Sequence, residues 1–174
     1  MVSLITDYDD PWSQKCGGAL VASKYVVTSA SCVHDLSPNE IFVMIGEHDF
    51  TRTEETEEKK YVYKIFPHEY YHASSKTHDI AVLELVTDVN LEEFTPICLA
   101  KTSDEGLTDG LRCQMYGYGK TGKKDGILHE LDVTLVDNSK CSEDYEELIT
   151  AGKVCTKKDT GKGACLVSLT MKQW

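Results

Sequence analysis

Apolar residues in this chain fall in short runs between turn-forming residues, and their spacing is that of strands rather than helices. The runs cover Ala19 to Val27, Ile41 to Ile45, Tyr61 to Ile65, Ile80 to Leu85, Arg112 to Tyr116 and Leu131 to Leu135. In the last of them Leu131, Val133 and Leu135 alternate with Asp132 and Thr134, the period-two pattern of a half-buried strand. One segment reads differently. From Ser139 onward, Cys141, Tyr145, Leu148 and Ile149 share a helical face, with acids near its start, which predicts one short helix near 139–149. Gly117, Gly119, Gly122 and Gly126 predict turns after Tyr116. The stretch Thr87 to Lys101 reads as a connection between two halves. No internal repeat is visible, and the pattern predicts an all-β protein, a barrel or a sandwich.

With 174 residues, 41% of them hydrophobic, the chain can fill one ordinary core or two small ones. Its net charge of −11 argues against nucleic acid, whose phosphates demand a basic face, and serves solubility equally well. Seven cysteines, none in a Cys-x-x-Cys pair, read as a disulfide framework rather than a zinc site, which predicts a location outside the cytosol. No membrane span is visible. Val2 to Ile5 is too short for a secretion signal and is followed by Asp7, Asp9 and Asp10. A secreted-type cysteine pattern without a signal, and with an odd cysteine count, predicts a chain incomplete at its start or export information upstream of Met1.

Particular residues narrow the class. Cys16-Gly17-Gly18-Ala19-Leu20, followed by Val26-Val27-Thr28-Ser29-Ala30-Ser31-Cys32, closely resembles the segment that carries the catalytic histidine in chymotrypsin/trypsin-family serine endopeptidases. Further matches follow in the family's order: Thr77-His78-Asp79-Ile80-Ala81-Val82-Leu83, then Pro96-Ile97-Cys98-Leu99, then Gly117-Tyr118-Gly119-Lys120-Thr121. The resemblance implies a double six-stranded β-barrel. The first barrel would span 1–92, and 93–174 would form a partial second barrel lacking several strands. It also implies disulfides Cys16–Cys32 and Cys141–Cys155. The counterparts of Cys98, Cys113 and Cys165 pair, in the family, with cysteines outside the matched segment, so truncation at both ends is expected.

The family's chemistry needs a histidine base, an aspartate that orients it and a serine nucleophile. The resemblance places Asp79 at the aspartate position, a remnant buried among Ile80, Val82 and Leu83, and Ser31 at the histidine position. A hydroxyl cannot hold a proton near neutrality as imidazole does. Gly161-Lys162-Gly163-Ala164-Cys165 resembles the approach to the nucleophile motif, yet the chain continues Leu166-Val167-Ser168, and no glycines surround Ser168 to aim it or supply an oxyanion hole. His78, read on a strand, should face away from Asp79, His34 falls in a loop beyond Ser31, and His48, His68, His72 and His129 read as exposed turn residues. None is expected to replace the base.

A second site candidate is Gly46-Glu47-His48-Asp49 with Glu54 and Glu57, which resembles the family's calcium loop. Glu47, Glu54 and Glu57 would supply side chains and Asp49 and Arg52 backbone oxygens, against the alternative of a solvated acidic run. The expectation is a secreted serine protease homologue, catalytically inactive, that binds a partner protease, an inhibitor or a substrate protein. The alternative is a fragment of a secreted serine-type endopeptidase, or an incomplete gene product with no independent function.

Overall fold

The computed structural model describes residues 1–7, 10, 13–99, 108–118, 126–144, 149, 152–157 and 170–172. Strands β1 (Val2–Ile5), β2 (Gln14–Ala22), β3 (Tyr25–Thr28), β4 (Phe42–Ile45), β5 (Glu58–Pro67) and β6 (Ala81–Leu85) close into a barrel in the order β1-β2-β3-β6-β5-β4. The run from Ala19 to Val27 is therefore two strands rather than one. Ser23 and Lys24 turn the chain because their surroundings fix them there: Leu85 N–H donates to the Lys24 carbonyl, Val89 N–H to that of Ser23, and the Ser23 hydroxyl to Asp88.

The barrel is filled by alternate residues of its strands. Leu4, Val26, Val43 and Leu83 are 0% exposed, and burying each such side chain contributes roughly 1.5–3 kcal/mol. Gly18 is required by this packing, since a Cβ there would lie 2.9 Å from both the Val26 side chain and the Val27 carbonyl. The described part of the Thr87 to Lys101 stretch, through Leu99, is pinned to the same barrel, with Val89 and Phe94 packed on its core and Ile97 N–H bonded to the Leu20 carbonyl.

In the second half, β7 (Arg112–Gly117), β8 (His129–Val136), β9 (Cys155–Lys157) and β10 (Thr170–Lys172) form a four-stranded sheet in the order β10-β7-β8-β9. Cys113, Met115, Val133 and Leu135 make its core. The fold is all-β, with a closed first barrel and, among the described residues, a second, partial sheet. Sequence patterning had not resolved β9 or β10, whose three residues each are too short to show a period.

Helix α2 (Asn138–Asp144) lies where a helix was expected, and Tyr145 and Leu148 fall outside the described residues. A second helix, not expected, is the single turn α1 (Ala30–Val33). Its residues pack inward rather than along a stripe, which is why a 3.6-residue period never showed. Among the described residues no helix is long and apolar enough to cross a membrane.

Candidate functional site

β3 and β6 are neighbours, with Thr28 opposite Ala81. Ser31 comes three residues after Thr28, at the first turn of α1, and Asp79 two residues before Ala81, so strand pairing brings them together at the barrel rim. The Ser31 N–H donates to Asp79 Oδ1 at 2.6 Å and the Ser31 hydroxyl to Oδ2 at 2.8 Å. The disulfide Cys16–Cys32 ties α1 back to β2, and the Ser29 hydroxyl lies 2.9 Å from Cys32 Sγ. The second disulfide, Cys141–Cys155, joins α2 to β9. Cys98 is a free exposed thiol and Cys113 a free buried one, whose ionisation burial pushes up.

Three expectations about this rim need correction. Asp79 is half-buried, not enclosed, because Ile80 turns outward and is 46% exposed. His78 does not sit on a strand. It has φ 53° in the turn before β6, and its ring stacks on His68 at 4.9 Å, which leaves His68 half-buried rather than exposed. His34 meets Tyr71 edge-on at 5.2 Å, and His72 Nδ1 pairs with the Ser74 and Ser75 hydroxyls. Among the described residues, both hydrogen bonds to the Asp79 carboxylate come from Ser31. The Gly161 to Cys165 segment and Ser168 lie outside the described residues.

The arrangement has a definite chemical content. Ser31 spends its one O–H on Asp79, so what remains on that oxygen is acceptor capacity with no proton-binding site near neutral pH. The aspartate is satisfied by a main-chain and a hydroxyl donor, without an imidazole to orient.

The chain belongs to the trypsin family. The match to the trypsin family model spans residues 1–166. Coagulation factor IX of Oryctolagus cuniculus is 33% identical over 158 residues, 86% of this chain and 57% of that protein. Mannan-binding lectin serine protease 1 of Mus musculus is 29% identical over 171 residues, 86% of this chain and 24% of that protein. The chain thus spans well under two thirds of each relative.

In this trypsin-family chain the acidic loop begins at Gly46, whose φ of +77° favours glycine and where a Cβ would clash with the Thr56 carbonyl. Glu47 is 8% exposed and its Oε1 has no hydrogen-bond partner among the described residues. Burial, then the neighbouring Glu57, with smaller contributions from Glu54 and Asp49, pushes its carboxyl from 4.5 up to about 7. Asp49 is held below its ordinary range, chiefly by the Thr51 hydroxyl at 2.6 Å and the Thr51 N–H.

Arg52 Nε lies 3.1 Å from Asp49 and its terminal nitrogen 2.9 Å from Glu54 Oε1, so the loop carries an internal cation that its sequence pattern had not suggested. Glu57 Oε1 accepts the Glu54 N–H at 2.6 Å. Among the described residues no three acidic, histidine or cysteine side chains converge closely enough to cage a metal as they stand. The orphaned buried oxygen of Glu47, beside three further carboxylates, nevertheless has the donor chemistry that a hard cation satisfies.

This loop also joins the two halves. The Tyr118 hydroxyl donates to the Glu47 carbonyl at 2.7 Å, and its ring lies 4.6 Å from that of Phe50. Phe50 N–H bonds the Gly126 carbonyl and Leu128 N–H that of His48.

Proposed function

We propose that this chain is a catalytically silent serine protease homologue of secreted type, which acts by binding a protein: a protease, an inhibitor or a substrate protein. The observation that carries the reading is the Ser31–Asp79 pair, an alcohol bonded to the aspartate where the family's mechanism requires a base. In the trypsin family's own triad, loss of a member lowers kcat by roughly four or more orders of magnitude. Two disulfides support an oxidising compartment. The test is labelling with a fluorophosphonate, which reports an activated serine. No labelling is expected, and stoichiometric labelling that depends on Asp79 would oppose the reading.

We further propose that calcium binds at the acidic loop through Glu47 and Glu57, with Glu54 and the Asp49 and Arg52 carbonyl oxygens as the remaining ligands. The unpartnered Glu47 oxygen favours it. Calorimetry should show heat at submillimolar calcium that Glu47→Gln abolishes. Silence up to several millimolar would dismiss the site.

A further inference from the structure

Strand β5 pairs with β4 through Glu58–Tyr61 and with β6 through Val62–Pro67, and it can meet a ligand through its outward side chains. Lys60, Val62 and Ile65 turn inward. Glu58, the strand's one acid, pairs with Lys60 at 2.6 Å. The outward row is Lys59, Tyr61, Tyr63, Lys64 and Phe66, with a register shift between Val62 and Lys64 that leaves Tyr63 and Lys64 both exposed. Tyr61 is 62% exposed, Tyr63 65% and Phe66 40%. In a chain of net charge −11 this row carries two lysines and three rings with no acid among them. Among its register partners Phe42, Met44, Val82 and Glu84, one is acidic.

The lysines are also positioned. Lys64 Nζ sits 4.6 Å from the Phe66 ring centre, and Lys59 Nζ 4.1 Å from that of Phe42 and 5.1 Å from that of Tyr61. Ammonium groups already laid over rings lose less rotamer freedom when a ligand arrives.

We propose that the outer row of β5 is the docking surface for a polypeptide segment that alternates acidic and apolar side chains. Apolar groups cover Tyr61, Tyr63 and Phe66, which otherwise leave a band of ring surface in water, and carboxylates meet the lysines at its margin. A polyanion such as a sulfated polysaccharide is disfavoured, because two lysines offer little against dense charge that the rest of the molecule repels. A second copy brings its own −11 to the contact. The proposal goes beyond the binding reading above and holds whether or not the chain hydrolyses peptides.

The test uses the whole chain and a fluorescein-labelled peptide, about twelve residues long, alternating Glu with Leu, followed by anisotropy. Binding is expected, weakened at least ~10-fold by Tyr61→Ser with Tyr63→Ser and at least ~10-fold by Lys64→Glu, with Leu99→Ser, at an exposed residue outside β5, unchanged. Lys64→Glu leaves the rings in place and keeps the test open should the tyrosine double variant misfold. Absence of binding at about 1 mM protein, or binding indifferent to the β5 variants, would overturn the proposal. So would displacement of the peptide by heparin, or a dimer in sedimentation that the same variants dissolve.

Discussion

Ser31 holds Asp79 with a main-chain and a side-chain donor, and the two contribute differently. Ser31→Ala removes the hydroxyl bond and keeps the N–H, so it should cost about 1–2 kcal/mol in urea unfolding. Asp79→Asn should cost at least as much, because an amide turns one acceptor into a donor facing donors. No loss in either variant would mean that the pair contributes nothing to the fold. At Glu47 the sign of the pH effect is fixed by the upward shift. The native chain keeps a proton between the ordinary value of 4.5 and about 7 that the unfolded chain releases. Stability without metal is therefore full below about 4.5 and falls as pH rises through 7, by on the order of 3 kcal/mol. Glu47→Gln should flatten that slope in chelator, as read by unfolding midpoints across the same pH range. An unchanged slope would contradict the burial of this carboxyl.

Elements, unlike residues, were unevenly legible. Runs such as Ile41 to Ile45 and Leu131 to Leu135 became β4 and β8 because their apolar residues face a core. The β2–β3 hairpin read as one strand because its turn, Ser23 and Lys24, carries no glycine or proline and is fixed instead by bonds from Leu85 and Val89, far along the chain. The Ser31–Asp79 pair was visible as two positions, yet the hydrogen bonds between them depend on the register of β3 with β6, which no local pattern records. The partners of the Arg52 guanidinium, Asp49 and Glu54, are set by the loop's fold and leave no trace in the sequence pattern. Gly46→Ala should destabilise the chain by at least ~2 kcal/mol, since both the positive φ and the Thr56 carbonyl oppose a side chain there. Replacing Cys16 and Cys32 by serine should cost roughly 3 kcal/mol by thermal unfolding, a loop of 16 residues being released in the unfolded state. A loss below about 0.5 kcal/mol in either experiment would show that these constraints are not felt.

At the scale of the molecule, a closed barrel stands beside a four-stranded sheet, and the acidic loop with Tyr118 is one place where they meet. That loop ties the chemistry of Glu47 to the position of Gly126 to Leu128, while the rim that holds Ser31 and Asp79 belongs to the first barrel alone. In the proposed reading the protein keeps the scaffold of the trypsin family and departs from it where proton transfer is required. The most direct test is hydrolysis of a mixed fluorogenic peptide library by purified protein and by its Asp79→Asn variant, between about pH 6 and pH 10. Both should match the buffer blank. Turnover by the unaltered protein that vanishes with Asp79→Asn would show that a working base is present at this rim and would contradict the account.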